Sequence, residues 1–152
     1  MRREFGSSAL KRISTLEKKS GKLSVQQRIL LAEIGTVEQT LSILVCSPVS
    51  VHVSRQTETE STILREVILT EKTGRPLIRA NSKVYKQNLP ADIIEEIRKA
   101  NLGIGTILSQ KNFETFRKIV RIGRDLSGAP YRIYRIIHAG KIAFEIRETI
   151  LM

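Results

Sequence analysis

Two charged residues interrupt strand faces that are otherwise apolar. Between Thr62 and Thr70, Ile63, Arg65, Val67 and Leu69 fall on one face at the two-residue period of a β-strand, and Arg65 is the intruder. Over residues 142–152, Ile142, Phe144, Ile146, Glu148 and Ile150 share a face, and Glu148 is the intruder. Placing a charge on a buried face is unfavourable unless the charge is paired or engaged in chemistry. A guanidinium offers a planar fork that holds a carboxylate through two hydrogen bonds. A carboxyl group in apolar surroundings can exchange a proton near neutral pH. The structural alternative is an ion pair: Arg65 with a carboxylate, or Glu148 with Arg65 or Arg135. Arg135 shares a face with Tyr131, Ile133 and Ile137, and Arg132 lies on the opposite face with Tyr134 and Ile136. One of these two arginines is a candidate second anion contact. Ile104 lies in the turn Leu102-Gly103-Ile104-Gly105, where backbone N–H groups entering a helix suit a carboxylate. A plain packing turn would have the same spacing.

Other familiar machinery is missing from the sequence. There is no phosphate loop of the Walker type, no nucleophile elbow, and no His-rich or acidic cluster with metal-ligand spacing. The expected chemistry therefore uses no metal, no cofactor and no covalent intermediate. Cys46 is the single cysteine, which excludes an internal disulfide. No apolar stretch is long enough to span a bilayer, and the basic, polar start lacks the apolar core of a secretory signal, so the expectation is a cytoplasmic protein without membrane contact. The 152 residues carry a net charge of +11, of which residues 1–22 supply +5. Such a balance suits attraction of a small anionic substrate. Nucleic acid is the weaker reading, because four Phe, three Tyr and no Trp leave little to stack bases on.

These residues must be positioned by folded elements. Residues 1–22 read as a basic polar leader, a loose segment or frayed helix, and 23–152 as one domain. Ser24 looks like the N-cap of a helix that ends at Gly35, and Thr36 like the cap of a second running to Leu44. Strands follow at Val49–Ser54, Thr62–Glu71 and Pro76–Tyr85, with a polar break over 56–61. A helix opens at Pro90 and ends at Asn101, and the turn at Gly103 and Gly105 leads into a single helical turn. The C-terminal third reads as three strands, Asn112–Asp125, Tyr131–His138 and Lys141–Met152, the last two joined at Ala139-Gly140. About six strands with three or four helices make an α+β domain with a mainly antiparallel sheet.

The ordered set of motifs resembles the chorismate lyase (chorismate pyruvate-lyase) family. The runs Leu64-Arg65-Glu66-Val67-Ile68-Leu69 and Gly74-Arg75-Pro76-Leu77 look like that family's central hairpin. Ile104-Gly105-Thr106-Ile107-Leu108, Ile122-Gly123-Arg124-Asp125, Gly140-Lys141 and Ile146-Arg147-Glu148-Thr149-Ile150-Leu151 are similar to later segments, in the same order. The likeness covers about residues 24–152. It implies an antiparallel sheet with the ligand buried under helical flaps, and cofactor-free conversion of chorismate to 4-hydroxybenzoate and pyruvate. By position it implies that Arg65 holds the ring carboxylate with help from backbone amides near Val37 and Ile104. Glu148 would face the ring 4-hydroxyl, and Arg135 or Arg124 would serve the pyruvyl carboxylate. The stretch from Gly140 to Glu148 is one residue longer than in the bacterial enzymes, and the family's small-residue and Arg positions are replaced around Ala80-Asn81-Ser82. The chain thus resembles a divergent branch. A non-catalytic binding domain for a small aromatic carboxylate is the alternative function.

Overall fold

Alternating apolar residues build the sheet. In a computed structural model, which describes residues 7–152, the strands are β1 (Ser50–Glu58), β2 (Thr62–Thr70), β3 (Pro76–Tyr85), β4 (Phe116–Arg124), β5 (Pro130–His138) and β6 (Lys141–Ile150). They form one six-stranded sheet in the order β1-β2-β3-β6-β5-β4, with every neighbouring pair antiparallel. Two three-stranded meanders therefore meet along the β3–β6 seam. The β5–β6 turn places both Ala139 and Gly140 at positive φ, the geometry that a tight two-residue hairpin requires.

Five α-helices accompany the sheet: α1 (Ser7–Ser20), α2 (Val25–Ala32), α3 (Val37–Val45), α4 (Ala91–Arg98) and α5 (Ile104–Gln110). Leu30, Leu31, Leu41, Ile93, Ile97, Ile107 and Leu108 from the helices join Ile63, Val67, Ile78, Phe144, Ile146 and Ile150 from the strands in one buried core. The α+β class with a mainly antiparallel sheet is thus observed, with one helix more than the sequence suggested. Ser24 caps α2 through a reciprocal capping box with Gln27, which satisfies two backbone donors at the helix start.

The structure departs from the sequence reading in three places. Residues 7–20 form α1, which packs on β4: Ile13 is buried, and Arg12 donates to the Val120 carbonyl at 2.8 Å. The apolar residues of this helix are sparse among lysines, so composition hides it; residues 1–6 of the leader lie outside the described residues. β1 runs through the polar break as far as Glu58, because after a bulge between Val53 and Arg55 its backbone still pairs with β2. The fourth strand begins only at Phe116, since Asn112 takes a positive φ just beyond α5.

The motif Ile122-Gly123-Arg124-Asp125 serves the fold. A Cβ on Gly123 would collide with the Tyr131 ring across the strand pair. Arg124 donates to Ser20 Oγ and to the Gly21 and Gly128 carbonyls, tying the end of α1 to the β4–β5 hairpin. Asp125 accepts from the backbone of Ser127 and Ala129, which shapes the turn.

Candidate active site

Strand register places the two intruding charges apart. Arg65 of β2 stands opposite Ser82 of β3, which stands opposite Ile146 of β6. Glu148 lies two residues further along β6, opposite Ala80. Two strand spacings and two residue rises put their Cα atoms roughly 12 Å apart on one face. Arg65 and Glu148 form no ion pair with each other; both line one cavity between the sheet and the starts of α3 and α5. Its walls include Val37, Val51, Val67, Leu69, Ala80 and Ile146.

Arg65 is 3 % exposed, and its Nη2 donates to the Leu102 carbonyl at 2.8 Å. Its Nε and Nη1 have no partner among the described residues. Burial pushes its guanidinium down to about 10, still charged at neutral pH. A buried cation with two idle donors is an incomplete anion site: leaving buried charged donors unsatisfied costs of order a few kcal/mol. The helix starts lie beside it. Val37 opens α3 behind Thr36 and Ile104 opens α5 behind Gly103, and neither cap residue uses its side chain to satisfy the first amides.

Glu148 is paired, with a partner that the sequence reading had not matched to it. Arg132 stands directly across from it on β5 and donates from Nε to Glu148 Oε2 at 2.9 Å. Tyr134 Oη donates to Glu148 Oε1 at 2.6 Å. Both oxygens therefore act as acceptors, the arrangement of a carboxylate, and each keeps a lone pair for a ligand hydroxyl. The other guanidinium nitrogens of Arg132 reach Glu33, one to its backbone carbonyl and one to its carboxylate at 2.9 Å. Burial opposes the charge on Arg132, but Glu148, Tyr134 and Glu33 outweigh it and raise its pKa. Burial first, then the Glu148 charge, hold the Tyr134 phenol well above its ordinary range, so it remains a proton donor to Glu148.

The structure thus gathers Arg65, Val37, Ile104 and Glu148 around one cavity and leaves Arg135 out. Arg135 points to the opposite face of the sheet, where it pairs with Glu145 at 2.9 Å in a half-exposed ion pair. Arg124 is occupied at the hairpin. The residues missed by sequence reasoning are Tyr134, Glu38, whose carboxylate accepts from Thr106 Oγ1 at 3.1 Å, and Arg117. Arg117 carried no legible signal: strict alternation groups it with Ile119, Arg121 and Gly123, and only the bulge between Ile119 and Arg121 brings Ile122 onto its face.

The cavity measures about 50 Å³, room for a few water molecules, whereas a cavity of about 150 Å³ accepts benzene. An aromatic ligand requires α3 and α5 to move outward from the sheet. Their contact is close. A Cβ on Gly103 would collide with Glu38 Oε1, and one on Gly105 would lie 3.1 Å from Thr36 Cγ2.

The chain is 32% identical over 141 residues to a protein of Methanocaldococcus jannaschii named "Putative lyase", covering 81% of this chain and 76% of that protein. It belongs to this lyase family. No protein-family model matches the chain. Nothing in the site favours a metal: among the described residues, no group of three or more His, Cys, Asp or Glu side chains is placed to hold one. Arg65 and Glu148 instead give the cavity a cation with idle donors and a carboxyl group with both oxygens accepting. No described helix of this lyase family member is long and apolar enough to cross a membrane.

Proposed function

We propose that the protein is a cofactor-free lyase that eliminates pyruvate from chorismate to give 4-hydroxybenzoate. The observation that carries this reading is buried Arg65, with Nε and Nη1 both unsatisfied, in a cavity shared with Glu148. Each of these donors forms a fork with the second N–H of Nη2, so a carboxylate can dock on one side of the guanidinium, and the amides at Val37 and Ile104 add donors beside it. Membership of a lyase family and the resemblance of the ordered motifs support the same assignment.

The chemistry asks little of the protein beyond placement. In chorismate the ring becomes aromatic when the enolpyruvyl ether bond breaks and the neighbouring ring carbon loses its proton. That proton is taken up by the departing enolpyruvyl methylene to give pyruvate, so no oxidant or reductant is required. Arg65 fixes the ring by its carboxylate. Glu148, held by Arg132 and Tyr134, accepts a hydrogen bond from the ring hydroxyl and stabilises the charge redistribution on that oxygen. Closure of α3 and α5 excludes water and aligns the ether, a contribution of positioning.

The test is direct. Purified protein with chorismate and no added cofactor should release 4-hydroxybenzoate and pyruvate in equal amounts. Glu148→Gln should lower kcat by about 10²- to 10⁴-fold. Wild-type protein that binds 4-hydroxybenzoate yet releases no pyruvate would replace this reading with that of a binding domain for an aromatic carboxylate.

A further inference from the structure

The geometry points to Arg117 as the contact for the second carboxylate of a dianionic ligand, an assignment that rests on the proposed lyase reading and extends it. Arg117 lines the cavity that holds Arg65 and Glu148, but it comes from β4, four places along the sheet from β2. Inner-face residues align across the strands in rows. Arg65, Ser82, Ile146, Tyr134 and Ile119 form one row, and Ile63, Val84, Phe144, Ile136 and Arg117 form the next. Glu148, on β6, lies between β2 and β4 in strand order, in the row on the other side of the Arg65 row from Arg117. A ring spanning Arg65 and Glu148 would carry a substituent beside its hydroxyl toward the β4 side, where Arg117 waits.

The side chain is positioned but not consumed. Its guanidinium carbon lies 5.4 Å from the centre of the Tyr134 ring, within range of a cation–π contact, and Tyr134 is itself hydrogen-bonded to Glu148. Gly105 leaves it room: a Cβ there would stand 3.3 Å from Arg117 Nη2. No carboxylate among the described residues forms an ion pair with Arg117. The one other acid lining the cavity, Glu38, is bonded to Thr106. Arg117 also borders the hollow outside the helix starts, with Ile34, Gly35 and Thr36, so it stands where the cavity meets the surface. A half-buried guanidinium without a carboxylate, at the mouth of a cavity whose far wall holds the idle donors of Arg65, is suited to a ligand with two carboxylates.

Two probes separate the contacts: 4-hydroxybenzoate, with one carboxylate, and 3-carboxymethoxy-4-hydroxybenzoate, which adds a second through an ether that cannot eliminate. Calorimetry of the wild type and of Arg117→Met should show affinity for the dicarboxylate falling about tenfold to a hundredfold, with affinity for 4-hydroxybenzoate kept within about twofold. Arg117→Lys, with a point charge in place of the fork, should fall between them for the dicarboxylate alone, and it decides the matter if the Met variant does not fold. Equal losses for both probes, or no loss for either, would overturn the role of Arg117 and leave the lyase reading standing. Wild-type protein that binds neither probe would overturn both.

Discussion

Two arginines buried in the same core have opposite dependence on their surroundings, and this separates their roles. Arg132 is fully engaged by Glu148 and Glu33, so Arg132→Met leaves Glu148 buried with only Tyr134 as partner. Thermal unfolding should show a loss of about 3–5 kcal/mol. Arg65 is short of partners, so Arg65→Met removes an uncompensated buried charge. The same measurement should show this variant equal to or more stable than wild type, by up to about 2 kcal/mol, while 4-hydroxybenzoate binding is lost. Stability lost in Arg65→Met to the extent seen for Arg132→Met would mean that Arg65 is a structural residue. The pH dependence follows from the same burial. Anion binding needs the charged guanidinium, so affinity should hold through neutral pH and fall as pH rises through about 10. The folded value lies below the ordinary arginine range, so the folded protein binds fewer protons than the unfolded chain between the two. The resulting destabilisation is fully present below about pH 10 and fades as pH rises above it. Both intruding charges were legible because β-strand alternation exposes any polar residue on an apolar face. The pairing of Glu148 with Arg132 was not, because it depends on which strand lies beside β6, and periodicity carries no register.

At the scale of elements, the site depends on how α3 and α5 meet over the sheet. Gly103 is the closest approach, since any side chain there runs into Glu38. Gly103→Leu, whose bulk exceeds what a swing of the flexible Glu38 carboxylate can free, should push the two helices apart, weaken ligand binding about tenfold or more, and raise hydrogen exchange in α5, with a stability loss of about 1–3 kcal/mol. Unchanged exchange and affinity would show that α3 and α5 do not act as a cover. The hairpins and helix caps could be read from short signals: Ser24 with Gln27, and Ala139-Gly140. Helix α1 could not. Its inner side, Ala9, Ile13 and Leu16, has helical spacing, but these few apolar residues are thin among polar and basic ones, so composition hides it. Its contribution is measurable: Ile13→Ala should cost about 2–4 kcal/mol in denaturant unfolding. A change under about 0.5 kcal/mol would show that α1 contributes no packing and is a leader after all.

The whole molecule joins these parts through one sheet. The six strands set the spacing between the cavity's charged groups: Arg65 on β2, Glu148 on β6, Arg132 and Tyr134 on β5, Arg117 on β4. The alternation of each strand was readable, but the seam between β3 and β6, which brings the last strands of the two meanders side by side, is a tertiary fact with no local signal. The lyase family membership follows from similarity along most of the chain; the proposed substrate follows from the resemblance of the ordered motifs, with the two charges in the cavity as support. The central claim is that an idle donor of Arg65 receives the carboxylate of an aromatic acid whose hydroxyl meets Glu148. A crystal structure of the complex with 4-hydroxybenzoate tests it most directly. The account predicts a carboxylate oxygen about 2.7–2.9 Å from Arg65 Nε or Nη1, with the ring hydroxyl in hydrogen-bond contact with Glu148. A ligand bound elsewhere, or in the cavity with Arg65 Nε and Nη1 still unpartnered, would contradict it.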